Sequence, residues 1–117
     1  MKPRMDPRFK KRMSCRLKQE QKTYAGMVLD VSRTGLFVQT SAGAKPGDEV
    51  EVLLGSREQA APVALTAEVV WQRKVPPQLR VVVEGGVGLK IRYAPELYYA
   101  LLADAAQAAK TRRHRVV

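Results

Sequence analysis

A chain of 117 residues with 45% hydrophobic content has apolar material for one modest core, and its formal charge of +10 is carried by its ends. Residues 1–22 hold nine Lys/Arg against two Asp/Glu and residues 110–117 four against none, whereas residues 23–109 hold eight against nine. Cys15 is the only cysteine, which excludes an internal disulfide and a Cys-x-x-Cys zinc site. With no signal-peptide run and no 18-residue apolar stretch, the expectation is a soluble protein of a reducing, cytoplasmic compartment.

Met1 to about Lys11 is polar and basic, and Pro3 and Pro7 disfavour a continuous helix there, so residues 1–12 are expected to be a mobile arm. Met13, Cys15 and Leu17 alternate with Ser14, Arg16 and Lys18, the period of a half-buried strand. Tyr24 to Val31 reads as a second strand, with Val28 and Asp30 on one face and Leu29 and Val31 on the other. Gly35 to Thr40 reads as a third. Pro46-Gly47 marks a turn before Glu49 to Leu54, where Glu49 and Glu51 fall on a solvent face and do not form a metal cluster. Pro62 to Gln72 is a long strand expected to place Val63, Leu65, Ala67, Val69 and Trp71 on one side. Leu79 to Glu84 and Val87 to Tyr93 read as a hairpin around Gly85-Gly86.

At Pro95 the period changes. Leu97, Leu101 and Ala105 fall four apart, with Tyr98 and Leu102 beside them, so residues 95–110 are expected to be an amphipathic helix and 111–117 a basic tail. Short strands at close spacing followed by one helix argue for a mainly β protein: a small closed antiparallel β-barrel of six to seven strands over residues 13–94, with a C-terminal α-helix.

The chemistry concentrates in Asp30-Val-Ser32-Arg-Thr-Gly35. Asp30 and Ser32 can accept from backbone N–H groups two residues on, and Gly35 is expected to supply a positive φ at the reversal. Such a turn exposes carboxylate, hydroxyl and amide groups at a sheet rim, which suits a ligand site and suits a plain hairpin equally. Arginines four apart on the arm can hold phosphate and stack on guanine, with Asp30 accepting from a guanine N–H edge. No catalytic residue is assigned. His114 lies in the tail far in sequence from Cys15, and Ser32 is not in a Gly-x-Ser-x-Gly elbow. Gly85-Gly86-Val-Gly88 leads into a strand, so it is no dinucleotide-binding turn.

Arg8-Phe-Lys-Lys-Arg12 running into the first strand, with Asp30-x-Ser32-x-x-Gly35 one hairpin later, resembles the PilZ domain. The resemblance extends to Gly26-Met-Val-Leu-Asp30, Pro46-Gly47, Val69-Val-Trp71 and Gly86-Val-Gly88-Leu-Lys-Ile, over most of residues 8–103. It implies a small bacterial barrel that binds cyclic di-GMP as a ligand, with no cofactor and no metal. Arg8 and Arg12 would clasp its guanines and phosphates. Asp30, Ser32 and Gly35 would form the barrel side of the pocket, and Arg33 would add a phosphate contact. Family members that take an intercalated ligand pair often carry another Arg before the first motif arginine. Pro7 stands there in this chain, which leaves one ligand molecule per site open. The resulting expectation is a receptor that orders its arm on binding and signals to a partner protein, with the C-terminal helix, Tyr98, Tyr99 and the tail as the contact. Two alternatives share the barrel: a nucleic-acid-binding module using the basic ends, and a protein-interaction adaptor that binds no nucleotide.

Overall fold

The computed structural model describes residues 7–55, 62–79 and 85–113. Six strands are present among them: β1 (Phe9–Gln19), β2 (Lys22–Val31), β3 (Gly35–Thr40), β4 (Glu49–Leu54), β5 (Val63–Arg73) and β6 (Gly86–Tyr93), followed by helix α1 (Glu96–Arg113). The strands run in the order β1-β2-β3-β6-β5-β4, and β4 returns to β1 through Cys15↔Leu54 to Lys18↔Glu51, so the antiparallel sheet closes into a barrel. Closure pairs every strand on both sides and leaves no free edge.

Alternation builds the interior. Val50, Val52 and Leu54 of β4 face inward between exposed Glu49 and Glu51. Leu17, Val28, Leu36, Val38, Leu65, Val69 and Leu89 meet them in one core cluster. Tyr98 and Ala105 of α1 are buried in the same cluster, with Leu101 and Leu102 packed against it, so the helix covers one end of the barrel. Among the described residues no helix is long and apolar enough to cross a membrane.

Several sequence expectations are corrected. β1 begins at Phe9 and not at Met13: Phe9 packs against the core and pairs with Val31, and Lys10 pairs with Asp30, so the stretch read as an arm is strand from Phe9 onward. Most of the expected strand Leu79 to Glu84 lies outside the described residues, and Leu79 itself closes a short 3-10 turn, Pro77–Leu79.

Two bulges break the expected face assignments. The β2–β3 register jumps from Val28↔Val38 to Asp30↔Phe37, so Leu29 is an extra residue. Val28 and Val31, three apart, are consequently both buried. In β5 the register passes from Val69↔Leu89 to Trp71↔Gly88, leaving Val70 unopposed. Trp71 is thereby turned off the core face and is 44% exposed.

On α1, Leu97 is 61% exposed, and the buried line runs through Tyr98, Leu101/Leu102 and Ala105. Of the expected stripe only Leu97 falls outside; Tyr98, Leu101, Leu102 and Ala105 keep the helical spacing.

Candidate functional site

The turn between β2 and β3 is built around one buried hydroxyl. Ser32 is the buried polar residue among those described, at 1% exposure. Its Oγ accepts from Gly35 N at 3.0 Å and Thr34 N at 3.3 Å and donates to Gly35 O at 3.1 Å. Its backbone N donates to Gly35 O at 2.8 Å. A hydroxyl so committed shapes the turn from inside.

Gly35 does not supply a positive φ, as the sequence had suggested; among the glycines that role falls to Gly47 and Gly55. A Cβ at Gly35 would stand 2.4 Å from the Leu89 carbonyl oxygen. Glycine is required there because β3 passes close to the β6 backbone where Gly35 pairs with Lys90.

Asp30 does not turn its carboxylate to the backbone either. Arg8 Nε donates to Asp30 Oδ1 at 2.8 Å, and Arg8 Nη2 donates to the same oxygen. The two side chains are about 30% exposed, and the pair sits where β1 begins against the end of β2.

Beside this pair the outer face of β3, β6 and β5 forms ordered rows. Gly35, Lys90 and Glu68 lie in one, Phe37, Gly88 and Trp71 in the next, and Gln39, Gly86 and Arg73 in a third. Gly88 and Gly86 leave β6 without outward side chains there. Phe37 from β3 and Trp71 from β5 fill that space, their rings stacked at 5.1 Å and 10°. The Arg73 guanidinium lies over the Phe37 ring at 4.8 Å.

Arg8, Ser32, Thr34, Gly35, Trp71 and Lys90 line a pocket of about 220 Å³ with Val70 and the β6 backbone. The structure thus brings Arg8, Ser32 and Gly35 of the sequence candidates to one pocket, with Asp30 at its edge through Arg8. Arg12 and Arg33 are exposed and line no part of it. Trp71 and Lys90 also line it and were not among the sequence candidates. The bulge at Val70 hid Trp71 from period counting, and Lys90 looked like any outward strand lysine. The readable signal was Gly86-x-Gly88, a bare strip able to seat rings from neighbouring strands.

A larger cavity, about 950 Å³, lies toward the other end of the same face, by Gln39, Thr40, Gln72, Arg73, Lys74 and Gly85. It holds neither the Arg8–Asp30 pair nor the turn. Size alone does not mark the candidate site; the meeting of Arg8, held by Asp30, with the Ser32–Gly35 turn and an exposed indole does.

A family model described as PilZ domain matches residues 2–103. Solved structures of other proteins share the fold. A Bacillus subtilis inhibitor of motility (MotI/DgrA) superposes with a TM-score of 0.71 at 14% identity, over 98% of this chain and 54% of that one, so this chain spans about half its length. The PilZ domain of YcgR from Escherichia coli, solved with c-di-GMP, superposes with a TM-score of 0.66 at 15% identity, over 98% of this chain and 100% of that one. No curated protein matches the sequence.

Proposed function

Because the chain belongs to the PilZ domain family, we propose that it is a cyclic di-GMP receptor whose N-terminal arm closes over the ligand and which signals to a partner protein. The observation that carries this reading is the shared pocket of Arg8, Ser32, Thr34, Gly35 and Trp71, with Asp30 bound to Arg8 at its edge. A guanine stacks on Trp71 and offers its N–H edge to Asp30, while Arg8 and Lys90 take phosphate.

The Arg8–Asp30 pair supplies the switch. Guanine presents two donors on one edge and needs both carboxylate oxygens, but the two bonds recorded to Asp30 hold Oδ1 for Arg8. Binding therefore turns Arg8 from Asp30 to the phosphates. A pocket of about 220 Å³ is smaller than the roughly 300–1,000 Å³ of ligand pockets in general. It receives one base and its phosphate, and the rest of the ligand lies at the rim. The receptor has no catalytic step, and its output passes through contacts with another protein.

Amide and indole NMR spectra of the labelled protein titrated with cyclic di-GMP test the reading. Saturable shifts at Thr34, Gly35, the Trp71 indole and Lys90 are expected. Absence of shifts at ligand excess removes it. A single-stranded oligonucleotide is the parallel arm. If it binds in place of cyclic di-GMP, with a steep salt dependence, the exposed Trp71 beside Arg8 serves nucleic acid instead.

A further inference from the structure

Tyr98, expected beside the apolar stripe and as part of a partner contact, is buried, at 0% exposure. Its hydroxyl donates to the Ser32 carbonyl at 2.6 Å, a contact spanning 66 residues of sequence. With that bond every polar group of Ser32 is engaged: N and Oγ within the turn, the carbonyl with α1. The turn is also held from β6, where Ile91 N donates to Thr34 O at 2.8 Å.

Tyr98 itself has little freedom. It lies in the first turn of α1, its backbone N donates to Pro95 O at 2.9 Å, and its ring is part of the barrel core. Arg8 and Asp30 are close enough for their charges to act on its hydroxyl, which burial pushes well above the usual tyrosine range. The phenol therefore stays protonated and remains a donor.

We propose that Tyr98 is a positioning residue that couples the motif turn to helix α1, so that α1 is the element through which ligand occupancy reaches the protein's surface. The proposal rests on the receptor reading above. A displacement of the Ser32 carbonyl moves the buried Tyr98 hydroxyl that ties the start of α1 to the turn, and a displacement of α1 withdraws a bond from the turn. Coupling of this kind is reciprocal: a partner that holds α1 in its ligand-bound position tightens the ligand by the same factor that the ligand tightens the partner. Tyr99 and Leu97, the exposed neighbours of Tyr98 on the same turn, are the side chains that would report the shift outward.

The test compares wild type, Tyr98→Phe and Tyr99→Phe as full chains. Tyr98→Phe keeps the buried ring and removes only the hydroxyl. Without ligand, hydrogen exchange at Thr34 and Gly35 is expected to speed up in Tyr98→Phe and to stay unchanged in Tyr99→Phe. Faster exchange confined to α1 would overturn the coupling whatever the protein binds.

With cyclic di-GMP, wild type is expected to change its α1 exchange on binding. Tyr98→Phe is expected to bind roughly three- to tenfold more weakly, the loss of about one neutral hydrogen bond, and to lose the α1 response. A purely structural tyrosine would raise α1 exchange equally with and without ligand and leave the response intact, which overturns the proposal. Failure of wild type to bind is a failure of the receptor reading and shows itself separately from the exchange of the free turn.

Discussion

Gly88→Ala isolates the role of Trp71. The new Cβ would stand 2.0 Å from Trp71 Nε1, 2.2 Å from Cε2 and 2.6 Å from Cδ1. Ordinary contact needs about 3.5–4 Å, so the indole must retreat by roughly 1.5–2 Å. Trp71 is 44% exposed and can swing toward solvent without parting the strands. The movement forfeits the Phe37 stack, about 0.5–1.5 kcal/mol. Alanine in place of glycine within a strand returns about 0.5–1 kcal/mol. Net stability should therefore change by less than about 1 kcal/mol, while the stacking platform is lost. A base stacked on an aromatic side chain is worth about 1–3 kcal/mol, so affinity for cyclic di-GMP should fall roughly five- to 150-fold. Trp71 is the sole tryptophan, so a red shift of its emission reports the displacement, and urea unfolding with ligand titration reads the other two quantities. Unchanged emission together with unchanged affinity would refute the reasoning, as would a loss of several kcal/mol, which would mean that the indole cannot move aside.

Gly35→Ala should behave differently, because its Cβ meets the Leu89 carbonyl at 2.4 Å and backbone cannot swing away; a loss of about 1–3 kcal/mol in urea unfolding is expected. Glu20 closes the two-residue β1–β2 hairpin at φ 57°, a left-handed position. Glu20→Asn should raise stability by up to about 1 kcal/mol, read as a higher urea midpoint. Burial raises the Cys15 thiol from 9.0 to about 11. Between those values the unfolded chain gives up the thiol proton and the folded chain keeps it, so stability should fall as pH rises through that window. The loss should be at most about 3 kcal/mol, and Cys15→Val, measured by unfolding at pH 8 and pH 10.5, should remove that component of the slope.

Much of the barrel was legible because its signals are local. The alternation of Glu49, Val50, Glu51 and Val52 fixes an outward and an inward face without reference to the rest of the chain, and the observed burial follows it. Pro95 and Glu96 mark the helix start for the same reason. Face assignments failed where one residue was inserted. Leu29 and Val70 each shift the period by one, and nothing in their identity distinguishes a bulged valine or leucine from a paired one. Arg8 and the Asp30–Gly35 turn stood out as a motif. That Asp30 spends Oδ1 on Arg8, and that Gly35 is demanded by Leu89 and not by φ, are facts of pairing across 22 and 54 residues of sequence. Tyr98 was read both as a flank of the apolar stripe and as part of a partner contact, and the structure buries it. A buried tyrosine looks the same in sequence as an exposed one until its hydroxyl partner is known.

The most direct test of the receptor reading is a calorimetric titration of cyclic di-GMP into wild type, Arg8→Ala and Asp30→Ala at moderate salt. The account predicts saturable heat for wild type and its loss in both variants while each remains folded, with the stoichiometry giving one or two ligand molecules beside Pro7. Absence of heat in folded wild type, or binding that neither substitution weakens, would contradict it.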